Sequence, residues 1–281
     1  MLLKRVGLTL LLLTMSLCAE NALAATPETG FLKRTVTVGD GQRGYRVYIP
    51  ENFNPKKKYP VVLCLHGSVQ WGEDNEGQLG FTLPAMMRPG GRVATKLEPN
   101  VLSSFIGVFP QSRVETPWSG EMAEYAVKAL DQTVAEFKAD SRRLYVTGFS
   151  LGGYGSWYVA AKHPGKFAAI VPMGGNIKIP ERFPRQFLEK FFPPDMLALY
   201  DAQDPHAAFV KRVGKTPVWI FHGENDKAVP VSDARSTAEA LKAAGVSVQY
   251  TEYKGAEHFI FDRAYTEPGF WTWLLAQRLA K

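Results

Sequence analysis

Val61–Leu65 reads VVLCL, apolar at every position. A strand without polar alternation must be covered on both faces, as in the centre of a parallel sheet. Similar short runs recur at Ile106–Phe109, Leu144–Thr147, Ala168–Pro172, Val218–Phe221 and Val246–Tyr250. Helical patterns separate them. Ala126, Leu130, Val134 and Phe137 fall on one helical face, with Glu124, Lys128, Asp131 and Lys138 elsewhere. Ser232 to Gly245 has an N-cap type residue at one end and a glycine stop at the other, and Phe270–Leu279 predicts a closing helix. Ahead of the alternation, Phe31–Val38 and Arg43–Ile49 flank Gly39-Asp40-Gly41 and predict an antiparallel hairpin. Strand alternating with helix from residue 59 onward predicts an α/β fold: a mostly parallel twisted sheet with helices on both faces. Between Gly175 and Pro217 lie 41 residues where one helix and two loops would suffice. This aromatic-rich and proline-rich stretch predicts a helical insertion after the sixth strand. Residues 176–216 are either a lid or pocket wall, or an excursion packed on the sheet edge.

The N-terminus has a different character. Lys4 and Arg5 precede an apolar run from Val6 to Leu17, and Ala22 and Ala24 follow at A-x-A spacing. This is the pattern of a Sec signal peptide cleaved after Ala24. A membrane span needs about 20 apolar residues, and this run has 12, interrupted by Gly7, Thr9, Thr14 and Ser16. Export to the periplasm or beyond is expected, leaving residues 25–281 as one domain of 257 residues with no membrane span. Loss of Lys4, Arg5 and Glu20 lowers the formal charge from +6 to +5. That is too small and too evenly spread to point to nucleic acid. Of the two cysteines only Cys64 is left, inside an apolar run. It reads as a buried, inert thiol, so core packing rather than disulfides must stabilise the domain.

Gly148-Phe149-Ser150-Leu151-Gly152 follows the strand LYVT directly and opens a small-residue helix start. In that context G-x-S-x-G is a nucleophile elbow, with the Ser150 hydroxyl raised over the C-terminal edge of the sheet. A hydroxyl needs a base to take its proton. Among the five histidines, His258 follows the last strand and precedes the final helix, where the base of the order Ser, acid, His belongs. His66 is expected to hold the loop after its strand, His222 to support the loop that follows it, and His163 to sit at a helix end; His206 has no assignable role. Asp226, on the loop after a buried strand, is the expected acid. Glu224 and Asp233 are its competitors, Asp233 being an acid in a first helical turn that needs no other role. Two N–H donors must hold an oxyanion. Leu151 supplies one, and Ser68 is expected to supply the other, with Val69 as the alternative. Trp71, Gln111, Trp118 and Tyr154 lie on or beside the same loops, either lining a substrate pocket or packing at the sheet's upper rim.

From about Tyr45 onward the chain resembles the α/β-hydrolases of the secreted esterase and predicted-peptidase group. The resemblance is carried by LHGS, GEDN (Gly72–Asn75), FPQ (Phe109–Gln111), SRRLYVTGFSLGGYGSW, FHGENDKAVP and EHF. That group is related to dienelactone hydrolases, phospholipase/carboxylesterases, feruloyl and polyhydroxybutyrate-depolymerase-type esterases, and the catalytic domain of prolyl oligopeptidases. The resemblance implies a triad of Ser150, Asp226 and His258 and an oxyanion donor at Ser68. It further implies hydrolysis of carboxylic esters, small or polysaccharide-linked, through an acyl-enzyme; the alternative is a peptidase of prolyl-oligopeptidase type. Residues 76–104 and 175–217 depart from compact members. The histidines show no H-E-x-x-H spacing and a single cysteine cannot build a zinc cluster, so no metal or cofactor is expected.

Overall fold

The computed structural model describes residues 28–280, apart from Asp40, Gly90, Arg92 and residues 180–182. The expected signal peptide and its cleavage site lie outside the described residues, as does the middle of the hairpin turn. Eight strands form one sheet: β1 (Gly30–Val38), β2 (Gly41–Ile49), β3 (Val61–Leu65), β4 (Ile106–Pro110), β5 (Leu144–Phe149), β6 (Ala169–Met173), β7 (Val218–Gly223) and β8 (Val248–Tyr253). Their spatial order is β1-β2-β4-β3-β5-β6-β7-β8. The hairpin β1–β2 and the pair β2–β4 are antiparallel, and every later pairing is parallel. This is the mostly parallel α/β sheet expected from the apolar runs.

The helices are α1 (Thr82–Met86) and α2 (Pro99–Leu102) in the long β3–β4 connection, α3 (Gly120–Glu136), α4 (Leu151–Lys162), α5 (Arg185–Phe191), α6 (Pro194–Tyr200), α7 (Pro205–Val213), α8 (Val231–Ala243), α9 (Phe261–Tyr265) and α10 (Phe270–Ala276). Two apolar cores, one on each face of the sheet, show why alternation is absent in the central strands. Val61, Leu63 and Leu65 pack with Leu130, Trp157 and Leu241 from α3, α4 and α8. Val62 and Cys64 point the other way, toward Leu83, Tyr265 and Leu274 from α1, α9 and α10. Side chains alternate across a strand, so a two-sided core makes every position of β3 apolar. Each such side chain contributes about 1.5–3 kcal/mol by leaving water.

Three boundaries differ from the sequence reading. The last strand begins at Val248, two residues later than expected, because Gly245 turns the chain with φ +65° and Val246 is spent closing the end of α8. Helix α8 is capped by Pro230 in extended conformation, which puts Ser232 inside the first turn. The closing helix ends at Ala276, where Gln277 turns extended and Leu279 N–H donates to Arg142 O (2.9 Å), so this segment passes the N-terminal end of the central strand β5. Cys64 is buried, and burial pushes its thiol up to about 12, far from the reactive range.

The insertion after β6 divides in two. α6 and α7 pack onto the first core through Met196, Leu197, Phe209 and Val210. α5 has no buried residue.

Candidate active site

The C-terminal ends of β5, β7 and β8 bring the three expected residues together. Ser150 leaves β5 with φ +57° and ψ −116°, a conformation an L-residue adopts only when its surroundings impose it. The imposition is visible: Ser150 N–H donates to Met173 O (2.8 Å), and Gly153 N–H donates to Ser150 O (2.8 Å). The flanking glycines are required by contact. A Cβ at Gly152 would stand 1.9 Å from Leu65 O, and one at Gly148 would stand 2.3 Å from Gly152 O. The elbow therefore closes against β3 only with glycine on both sides.

His258 Nδ1 lies 2.7 Å from Asp226 Oδ2, and His258 Nε2 lies 2.9 Å from Ser150 Oγ. A carboxylate only accepts, so Nδ1 carries the proton and Nε2 is left to accept from the serine hydroxyl. Phe149 packs against the imidazole, with ring centroids 4.8 Å apart. The acid and histidine loops are sewn together. Asn225 N–H donates to Ala256 O (2.8 Å), and Gly255 N–H donates to Glu224 Oε2 (2.7 Å). Glu224, the competitor expected for Asp226, thus braces the turn ahead of His258.

Asp226 Oδ1 accepts from the amides of Ala228 and Val229 (2.9 and 2.8 Å). A second imidazole, which sequence reasoning gave only a supporting part, faces the same carboxylate. His222 is fully buried, its Nε2 donates to Val229 O (2.9 Å), and the same nitrogen is 3.4 Å from Asp226 Oδ2. Burial raises the Asp226 carboxyl, but hydrogen bonds from His222, His258 and the Val229 amide outweigh it and hold the group well below the usual carboxylate range. The spacing His222-x-x-x-Asp226 was the signal available in the sequence. Asp233, the other competitor, does have a role of its own: it binds His206 Nε2 (2.6 Å) and the Lys178 amide (3.3 Å), tying α7 and the loop after β6 to α8.

Leu151 and Ser68 each open a helix, α4 and a single 3-10 turn Ser68–Gln70. Their amides precede any carbonyl that the helix could offer, so both are open to an anion. The Ser68 loop is adjacent to Ser150, since a Cβ at Gly67 would lie 3.7 Å from Ser150 Cβ. His66 fixes that loop as expected. Its Nδ1–H donates to Gly67 O (2.7 Å), its Nε2 accepts from Ser112 N–H (2.9 Å), and its carbonyl accepts from the Trp118 indole (2.9 Å). Burial brings its pKa down to about 4, so it stays neutral. His163 caps the C-terminus of α4, 3.4 Å from Glu124.

Above Ser150 opens a cleft of about 1080 Å³. Trp71, Trp118 and Tyr154 are in its wall, with Ser68, Leu151 and His258. Gln111 is not: it is buried behind the 70–77 loop, where Oε1 accepts from Asn75 N–H (2.7 Å) and Nε2 donates to Gln70 O (3.3 Å) and Asp74 Oδ1 (2.9 Å). The GEDN segment thus fills Gln111's hydrogen-bonding capacity and withdraws it from substrate. The opposite wall, which the sequence did not separate from core, is Phe183 with Phe187, Lys190 and Phe191 of α5. Glu121, also in the wall, is engaged by Arg43 (2.8 Å) and Arg113 (2.6 Å). Among the described residues no group of three or more His, Cys, Asp or Glu is placed to hold a metal ion, and no helix is long and apolar enough to cross a membrane.

Residues 111–274, more than half of the chain, match the sequence profile of the prolyl oligopeptidase family. The chain belongs to the prolyl oligopeptidase family. This family member is 26% identical over 224 residues to a probable dipeptidyl-peptidase 5 of Aspergillus flavus, covering 76% of this chain and 30% of that protein. It is 25% identical over 223 residues to a protein of Arthroderma benhamiae described as secreted, covering 74% and 22%. The chain therefore spans less than a third of the length of these relatives. Among solved structures it resembles a thermostable esterase, with a TM-score of 0.69, 26% identity, and coverage of 88% of this chain and 63% of that one. The shared architecture is the α/β-hydrolase fold.

Proposed function

We propose that this member of the prolyl oligopeptidase family is an exported serine hydrolase that cleaves carboxylic esters through an acyl-enzyme. One observation carries the reading: the hydrogen-bonded series Asp226–His258–Ser150 at the floor of an aromatic cleft, beside two open helix-start amides. In the first half-reaction Ser150 Oγ attacks the acyl carbon while its proton passes to His258 Nε2. Asp226 holds the imidazole in the required tautomer and stabilises the imidazolium. The carbonyl oxygen becomes an oxyanion facing the amides of Leu151 and Ser68, each worth roughly 3 kcal/mol in the transition state. His258 then gives the proton to the departing alcohol oxygen. In the second half water loses a proton to His258 and attacks the acyl carbon; His258 then returns that proton to Ser150 Oγ as the acyl C–Oγ bond breaks and the carboxylic acid leaves.

An ester substrate, small or attached to a polysaccharide, is supported by the likeness to the thermostable esterase, of which the chain covers 63%, against 30% of the dipeptidyl-peptidase relative. The dipeptidyl-peptidase relative favours the second reading, a peptidase. Residues 25–281 are proposed as a single hydrolase domain, with α5 as its substrate wall and residues 1–24 as a cleaved signal; the relative described as secreted supports export. The proposed partner is a substrate and not a nucleic acid. The test is a kinetic panel: p-nitrophenyl esters of increasing chain length, feruloyl and acetyl-sugar esters, and peptidyl amides, with Ser150→Ala as blank. Ester turnover that dominates and vanishes in the blank is expected; dominant amide cleavage would contradict the ester reading.

A further inference from the structure

Among the described residues the large apolar side chains left exposed are Val69 (73%), Val114 (65%) and Phe259 (62%). Isolated exposed hydrophobics are ordinary, but these three share a neighbourhood. Val69 follows the oxyanion residue Ser68, Val114 lines the cleft, and Phe259 follows His258. Phe259 is the largest and the most firmly held. Its ring is edge-on to Phe81 (5.9 Å between centroids) and packs against Phe149 (5.8 Å) and His258 (5.6 Å). Phe81 is itself fixed by Phe261 (4.5 Å). A ring wedged by three others, yet open to water over most of its surface, is a preorganised apolar platform.

Its position relative to the chemistry assigns an occupant. His258 lines the cleft and Phe259 does not, so the imidazole stands at the boundary between the cleft and this platform. The acyl group stays bonded to Ser150 after the first half-reaction. The leaving oxygen must instead come within hydrogen-bond reach of His258 Nε2 to receive its proton. The exposed apolar ring packed beside that imidazole, and so within reach of a group attached to that oxygen, is Phe259, with centroids 5.6 Å apart. We propose that Phe259, backed by Phe81, is a leaving-group subsite that selects apolar and aromatic alcohols. This rests on the ester reading above. It predicts specificity on the alcohol side that is set independently of the acyl cleft under α5.

The experiment holds the acyl group and the leaving-group acidity constant, comparing ethyl and 2-phenylethyl butyrate. The wild-type protein is expected to favour the 2-phenylethyl ester in kcat/KM. In Phe259→Ala the ratio of the two kcat/KM values should fall about tenfold, the scale of one lost aromatic contact and its buried area, with Phe259→Tyr restoring most of it. The deacylation rate, measured from the common butyryl-enzyme after the alcohol has gone, should not follow the ratio. Stoichiometric labelling of Ser150 by a fluorophosphonate in each variant establishes that the site is intact. A ratio that stays constant, or a Phe259→Ala effect of equal size on both esters, overturns the subsite while leaving the ester reading in place. A wild-type protein that turns over neither ester removes the ester reading and the subsite with it.

Discussion

At Asp226 two imidazoles meet one carboxylate, and they do different work. His258 Nδ1–H donates the shorter bond, at 2.7 Å, and its Nε2 faces Ser150 Oγ. His222 is sealed in the core, with Nε2–H shared between Val229 O and the carboxylate and Nδ1 without a partner. His222 is therefore a positioning residue for the acid. Replacing it by leucine removes a buried donor and should lower kcat about tenfold with KM nearly constant, while His222→Gln, which can place an amide N–H near the same point, should recover part of the loss. The pH profile separates this from simple packing. Losing the donor makes Asp226 more basic, so the acidic limb of kcat/KM should move to higher pH in His222→Leu. That Ser150, Asp226 and His258 stand side by side was legible in the sequence because strand-turn-helix context fixes where a nucleophile, acid and base can stand. The partners of Asp233 and Gln111 were not legible, since each depends on a loop brought in from elsewhere: His206 from α7 and Asp74 from the β3–β4 connection.

The insertion after β6 shows the same limit for whole elements. Its aromatics look alike in sequence, yet Phe209 on α7 is fully buried in the core while Phe187 on α5 lines the cleft. Only the packing of α6 and α7 on the sheet sorts them, so the two proposed uses of the stretch, wall and packing, fall to different helices. Substitutions should separate accordingly. Phe209→Ala should destabilise the fold by about 3–5 kcal/mol through a core cavity, read as a shifted urea midpoint at unchanged m. Phe187→Ala should leave the unfolding free energy within about 0.5 kcal/mol of wild type and raise KM for bulky acyl groups several-fold. At the elbow, Gly152→Ala should be among the most damaging single changes, because its methyl would collide with Leu65 O at the end of β3. The strand positions were readable because a two-sided core leaves a run of apolar residues. The order of the strands was not, since nothing local in a parallel strand names its neighbour.

Across the molecule, stability and activity respond to pH through different groups. His66 is neutral and buried, with its pKa brought from 6.5 down to about 4. Between those values the unfolded chain binds a proton that the folded chain refuses, so stability should fall by about 3 kcal/mol as pH drops from about 6.5 to about 4. Asp226, held below the usual carboxylate range, extends the same trend at lower pH: its contribution is present above the unfolded pKa and is lost as pH falls through the folded one. Urea midpoints across this range check the slope, and His66→Gln should flatten its upper part. Net charge and composition bore on none of this. The proposed hydrolysis depends throughout on Ser150 being an activated nucleophile in the folded protein. Intact-mass and peptide-mapping analysis after treatment with diisopropyl fluorophosphate measures that directly. One phosphoryl adduct per chain is expected, on Ser150, lost in Ser150→Ala and strongly slowed in His258→Ala; a folded protein that takes up no adduct, or takes it up on another residue, would contradict the account.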